Sequence, residues 1–507
     1  MSKEELIIGL YSLAPLIIAG ITAAIILVIS AAGESRAGSG RLRAVNAAEK
    51  LSYLAFTAMA FISAVHFIKI KGPLTLFHNA VFFDHYSAAA GFIFSVMGIF
   101  TIFIAASEMK SESSRFQPEY YALLLSAAIG SLIMAMANDL LAAIVGIEIL
   151  SFSTYILCAL DNKNKRAVEG AFKYFLTGAA AGALFLFGLA HIYGGAQTTF
   201  ISEIPSMAAV NVQGPGPGAP LLIGLVFITA ALLFKAAAVP FHSWAPDAYD
   251  AATVSVAAFM TYFVKAAVFI LIFRIFAAAF IFMASSITGV LSVIAVITMT
   301  LANIAALYQN NLKRMLAYSS ISHTAYMLIA VICSAGVYKN AVADCGAYII
   351  FYLVSYFFIN AAIFSALAML SPGENRVHTI EDLKGLGFKK PFFSASFSLA
   401  LLALAGIPAT SGFIAKFFIF YNAFLSNHHA LVLLAVINSL IAFYYYIKII
   451  MAMYMQKPES GETAVSFGNA GRESAICLAV SSALIIILGV YPEVIVKLAK
   501  LAVISSF

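Results

Sequence analysis

Apolar stretches of about 20 residues recur from one end of this chain to the other, each long enough to cross a hydrocarbon core roughly 30 Å thick. No soluble domain of ordinary size fits between them. Hydropathy places spans near 6–32, 51–68, 84–106, 119–137, 139–160, 168–193, 220–240, 251–276, 279–307, 314–335, 341–370, 391–425, 430–455 and 474–496. The chain therefore reads as an all-α membrane protein of about fourteen transmembrane helices. Composition agrees, with 63% hydrophobic residues, 10% charged residues and a mean hydropathy of +0.97. The first stretch follows "SKEE" rather than a basic segment and is too long for a signal-peptide core, so it is read as a retained span.

Four cysteines, Cys158, Cys333, Cys345 and Cys477, have no metal-ligand or C-x-x-C spacing and suggest neither a metal site nor a disulfide framework. The net charge of +6 does not point to nucleic acid, because the longest basic block is "NKNKR" at 162–166. Loop topology accounts for it better. Numbering the loops assigns seventeen basic residues, Lys313 and Arg314 among them, to one side, and seven, including Lys69, Lys71 and Arg274, to the other. The positive-inside rule makes the first side cytoplasmic and puts both termini outside.

Five lysines remain inside spans: Lys173, Lys235, Lys265, Lys416 and Lys448. Two of them accompany helix breakers. Span seven ends in "KAAAVPFH", and span twelve contains "LALAGIPATSGFIAKFF". Each proline deprives the carbonyl four residues back of its partner, here Ala236 and Leu404, and a bilayer tolerates that only where protein or water fills the gap. A pair of such interruptions suggests two inverted five-helix repeats with the site at the breaks.

Glu148 lies nine residues into its span, about 14 Å deep, where an ionisable group normally marks an ion path or proton relay. The alternative is a structural pair with a lysine. Lys235, beside its break, and Lys265 and Lys416, near mid-span, are candidate relays that need partners on other helices. Lys173 is only six residues from the basic end, so a functional role and a stem that snorkels to the interface stand equally. His323, within "LAYSSISHTAY", is either a hydrogen-bonded core residue or a relay. Lys448 reads as a snorkelling residue. There is no P-loop, dinucleotide fingerprint, nucleophile elbow or zinc-protease motif.

Five segments, "GIEILSFSTYIL", "FKAAAVPFHSWAPDAYDAA", "NLKRMLAYSSISHTAYML", "LAGIPATSGFIAKFF" and "NSLIAFYYYIKIIMAMYM", occur in an order that resembles the antiporter-like subunit N family of NADH:quinone oxidoreductase, respiratory complex I. The resemblance runs from about residue 80 to 455. "WAPDAY" and the "YYY" of span thirteen favour subunit N over subunit M or sodium/proton antiporter subunits, and the chain ends without the lateral helix of subunit L. Two local departures are "DAATVSVAAF" where the family usually has glycine and proline, and Ala415 where a glycine is usual.

The resemblance implies proton-handling roles for Glu148, Lys173, Lys235, Lys265 and Lys416, with His323 a possible link between the last two. It implies proton movement across a bacterial inner membrane, driven by quinone reduction elsewhere in the complex. It implies no redox cofactor in this chain, with other membrane subunits and lipid as partners. The organisation expected is an N-terminal three-helix segment (1–118), two antiporter-like repeats (119–276 and 279–455) and a C-terminal helix (456–507). Two alternatives are a subunit of a multisubunit sodium/proton antiporter and a purely structural membrane subunit.

Overall fold

A computed structural model describes residues 9–34, 39–111, 118–161, 164–211, 218–334, 341–370, 379–456 and 472–507. The basic residues expected in loops at Lys3, Arg36, Arg115, Lys163, Lys339, Arg376 and Lys457 lie outside them. Helices α1 (Ala14–Glu34) and α2 (Ser39–Lys69) lead to a hairpin of β1 (Leu74–Leu76) and β2 (Val81–Phe83), paired antiparallel with Leu74 opposite Phe83. Then come α3 (His85–Ser111), α4 (Glu119–Met136), α5 (Leu140–Cys158), α6 (Lys165–Ala196), a short α7 (Ile204–Asn211) and α8 (Ala219–Lys235). The chain continues through α9 (Trp244–Ala251) and α10 (Val254–Phe259), then a π-helical turn (Met260–Val264) that runs directly into α11 (Lys265–Ala278). Next are α12 (Ala284–Leu307), α13 (Leu312–Cys333), α14 (Ala341–Leu370) and the short α15 (Leu386–Lys389). The last are α16 (Pro391–Ala405), α17 (Ser411–Leu425), α18 (His429–Met455), α19 (Arg472–Val490) and α20 (Glu493–Ile504).

Twelve spans among the described residues are long and apolar enough to cross a membrane, and α8, α16 and α17 are shorter apolar helices. Those three fall where the sequence carries its prolines. In the predicted seventh span α8 stops at Lys235, and the predicted twelfth is divided into α16 and α17. The span running from Val254 to Ala278 is buried at every residue up to Ala277, and α13 and α14 are almost as enclosed. By contrast α1, α2, α6, α12 and α18 expose apolar side chains outward, as lipid-facing or partner-facing helices do.

The tight junction between α4 and α5 is set by two polar residues. Asp139 accepts the N–H of Leu141 at 2.9 Å and caps α5. Asn138 donates to the carbonyl of Asn79 in the hairpin and accepts the N–H of Ser202, tying three segments together at one end of the bundle.

Three expectations change. The predicted span 474–496 is two helices, because Pro492 cannot continue α19 and instead opens α20. Arg274 is no loop charge: it lies inside α11, 2% exposed, with two hydrogen bonds of 2.9 Å from one guanidinium nitrogen to the carboxylate of Asp84. Lys313, expected in a loop, is buried in the first turn of α13 and donates to the carbonyls of Asp250 and Ala252. The stretch that departs from the usual glycine and prolines begins α10, whose first N–H groups, from Val254 and Ser255, are accepted by Glu108 at 2.7 and 2.9 Å. A carboxylate at that position suits the positive end of the helix dipole.

Candidate functional site: a buried row of amines

Both chain breaks expose the carbonyls that their prolines free, and both carbonyls are taken. At the first break, the Thr324 hydroxyl on α13 donates to the carbonyl of Ala236 at 2.7 Å. At the second, the Lys416 ammonium donates to Leu404 at 2.8 Å and to Ala405 at 3.2 Å. Each break also holds an alanine in the left-handed region, Ala237 at φ 59° and Ala409 at φ 69°, a conformation that an ordinary residue adopts only when its surroundings impose it. Gly406, at φ 91°, ends α16 where a side chain would be strained.

Lys235 closes α8 with its side chain turned toward α5. It donates to Ser151 at 2.6 Å and to Tyr155 at 3.2 Å, and its ammonium lies 3.9 Å from the Glu148 carboxylate. Glu148, Ser151 and Tyr155 are spaced i, i+3 and i+7, so one face of α5 carries the whole pocket. On α6, Gly182 makes room for the carboxylate, since a Cβ there would come within 2.9 Å of its oxygen. Glu148 is otherwise set among the outward-facing Leu141, Val145, Phe152 and Ile156.

Lys265 follows the π-helical turn directly. A π turn widens the helix and is frequent at functional positions. Its ammonium donates to the Ser320 carbonyl and, at 2.8 Å, to the same Thr324 hydroxyl that binds Ala236. One hydroxyl thus joins the first break to the central lysine. Lys265 also lies 5.8 Å from the Tyr356 ring centre, and Lys416 5.2 Å from that of Tyr326, both within cation–π range. His323 stands between those two rings, with Nδ1 2.7 Å from the Tyr352 hydroxyl. Lys416 completes its set with the Ser439 hydroxyl at 3.0 Å.

The structure therefore brings the half-buried Glu148 into line with the buried Lys235, Lys265, His323 and Lys416. Within this row, the hydroxyls of Ser322, Tyr326, Ser355 and Tyr356 make no well-formed hydrogen bond among the described residues. Burying such groups costs about 1–3 kcal/mol each unless something satisfies them, so this stretch is suited to hold water.

Lys173 lies apart from that row. It is half-exposed and paired with Glu169 at 2.8 Å and Asp247 at 2.9 Å. Asp247 is shared with Arg314, also at 2.9 Å. Partial burial pushes the Asp247 carboxyl up, but the hydrogen bonds and charges of Lys173 and Arg314 outweigh it and hold the group below the usual range. Between this cluster and Lys235 runs an aromatic stack. Trp244 lies flat on Tyr174 at 4.0 Å, Tyr174 meets Tyr155 edge-on at 4.5 Å, and the Trp244 indole donates to the Phe234 carbonyl at 3.3 Å.

Sequence reasoning did not find Ser151, Tyr155, Thr324, Tyr352 or Ser439. The first two share a helical face with Glu148 and could have been read from it. The others come from helices remote in sequence.

The family described as "NADH:quinone oxidoreductase/Mrp antiporter, TM" matches residues 137–442. The NADH-quinone oxidoreductase subunit N of Trichlorobacter lovleyi is 34% identical over 454 residues, covering 89% of this chain and 91% of that one. Among solved structures, a chain of respiratory complex I from Thermus thermophilus with bound aureothin superposes with a TM-score of 0.77 at 27% identity, covering 96% of this chain and 99% of that one. A chain of the Mrp complex from Dietzia has a TM-score of 0.80 at 20% identity, covering 99% and 97%, a likeness of fold alone.

Proposed function

We propose, since the chain belongs to the subunit N family of NADH-quinone oxidoreductases, that it moves protons across the membrane when quinone is reduced elsewhere in the complex. The chain is a membrane subunit of that multi-subunit complex, and other membrane subunits are its partners. In this reading Glu148 tunes Lys235, Lys235 exchanges a proton with Lys265 across the break that Thr324 bridges, and the hydroxyl-rich stretch around His323 leads to Lys416 and the outer side. Lys173 is a positioning residue that holds α9 through Asp247. The repeats at 119–276 and 279–455 each carry one break, flanked by 1–118 and 456–507.

One observation carries the reading. Among the described residues, Lys265 and Lys416 are held only by neutral hydroxyls, carbonyls and rings, so either can become a neutral amine without stranding a buried carboxylate. Of the three lysines in the row, Lys235 is the one that faces a carboxylate among the described residues, at a separation long enough to modulate it. Glu148→Gln keeps the shape and removes the charge. The expected result is a several-fold fall in donor-driven proton pumping by reconstituted vesicles, with normal assembly. Unchanged pumping at matched assembly would leave Glu148 a packing residue.

Sidedness has its own test. In this reading the membrane is a bacterial inner membrane and both termini face outward. A cysteine replacing Thr75 in the exposed hairpin should react with an impermeant thiol reagent from outside intact cells, and one replacing the exposed Lys389 should react only in inverted vesicles. The reverse pattern would turn the chain over.

A further inference from the structure

The tyrosines of "YYY" in α18 are not used by the row of amines. Tyr444 faces outward, but Tyr445 and Tyr446 are buried against α12 and α13. The Tyr445 hydroxyl donates to the Asn303 side chain at 3.1 Å and lies 3.4 Å from the Tyr446 hydroxyl, which is 2.5 Å from that of Ser319. Asn303 in turn donates to the Asn438 side-chain oxygen at 3.3 Å and to its backbone carbonyl at 3.0 Å. The residue after Asn438 is Ser439, which binds the Lys416 ammonium.

This polar ladder has direction. One turn beyond Tyr445, Lys448 donates to the exposed Asn310 at 3.2 Å, at the basic face of the protein. From Lys448 back to Ser439 is nine residues of helix, about 14 Å at 1.5 Å per residue. Its inner end is not closed. The Tyr326 hydroxyl faces Asn303 and Ser322, but among the described residues neither it nor the Ser322 hydroxyl makes a well-formed hydrogen bond, and the Lys416 ammonium sits over the Tyr326 ring.

Buried amides and phenols between membrane helices most often serve to hold those helices together. A network with that role alone would satisfy its own members. This one begins beside a solvent-exposed amide and ends on two loosely held hydroxyls and an ammonium.

We propose that Tyr445, Tyr446, Asn303 and Asn438 line a water-holding branch through which Lys416 takes up protons directly from the basic, cytoplasmic face. The proposal rests on Lys416 being a proton carrier, as argued above. Each phenol gives up one proton as it accepts another, so the branch moves protons without net change in its members. Lys416 is then supplied from its own side of the molecule, and the lateral row between Lys235 and Lys416 passes the state of charge rather than every proton.

Accessibility tests the branch apart from pumping. In the intact complex in vesicles, cysteines replacing Asn303 and Ser439 are treated with methanethiosulfonate ethylammonium from either face, and the modified positions are located by mass spectrometry. The four native cysteines are buried thiols, none of them in a disulfide. Both introduced thiols are expected to react from the basic face and to be protected from the other. No reaction at either position, or reaction only from the opposite face, would overturn the proposal. The paired Asn303→Leu and Tyr445→Phe variant is expected to lower pumping about fivefold at matched assembly, and a parental rate would overturn it equally. A parental rate in Lys416→Ala would instead remove the reading of Lys416 itself, whatever the labelling shows.

Discussion

Lys235→Arg and Lys265→Arg each lose proton pumping about tenfold or more while the complex assembles, because arginine keeps the charge and hardly ever releases its proton. The surroundings of Lys235 make this a fair comparison. Its ammonium is held by Ser151 and Tyr155 with Glu148 beyond, and a guanidinium can bond to the same three groups. Any structural service that a fixed cation performs there is therefore preserved. For Lys265 the partners are the Ser320 carbonyl and the Thr324 hydroxyl, both acceptors that a guanidinium also satisfies. If the two lysines only pin helices, arginine rescues and alanine fails. If they cycle protons, arginine fails nearly as completely as alanine. Pumping at the parental rate in both arginine variants, with assembly matched, would end the relay reading.

The charges that make up the row were legible because each interrupts an apolar run at a depth that a side chain cannot escape. Glu148, Lys235, Lys265 and Lys416 need nothing but hydropathy and a count of residues to stand out. The breaks were legible in more detail. The prolines name Ala236 and Leu404 as freed carbonyls, and those two accept from Thr324 and Lys416. Which groups answer them was not legible, since Thr324 is 88 residues from Ala236 and meets it only through packing.

Lys173 shows the limit of depth as a criterion. Six residues from a span end, a lysine can snorkel, pair or turn inward, and Asp247, 74 residues away, decides it. Arg274 shows the same limit from the other direction. Two residues from a predicted span end it was counted as a loop charge, and its partner Asp84 was the first residue of another predicted span. Only the folded chain brings the two edges together. The π turn before Lys265 has no signature in "MTYFV" that periodicity could detect, whereas Pro492 did announce the end of α19 and was masked by the apolar residues around it.

Breaking the Asp84–Arg274 pair from one side destabilises the protein by about 3–5 kcal/mol, whereas replacing both partners with apolar residues restores most of that loss. Both groups are almost wholly buried, at 1% and 2% exposure, so neither can turn to water when its partner is removed. The Tyr86 and Phe507 rings lie 5.2 and 5.6 Å from the guanidinium, which fixes the apolar wall that an isolated charge would face. Asp84 has a second role, because its carboxylate accepts the Ser87 N–H at 2.7 Å and its own N–H meets the Ser87 hydroxyl at 3.0 Å, capping α3. Losing a cap costs only about 1 kcal/mol, so the two roles separate by size. Asp84→Asn keeps an oxygen for the cap and removes the charge, and Arg274→Met leaves the cap untouched. Both are expected to show the large loss, read as a lower thermal midpoint and yield of the purified complex. The Asp84→Asn and Arg274→Met double variant is expected to recover most of it, because the amide no longer faces an unpaired cation. Were Arg274→Met alone as harmless as the double variant, the pair would contribute nothing to the fold, and the close packing of α3 against α11 would need another cause.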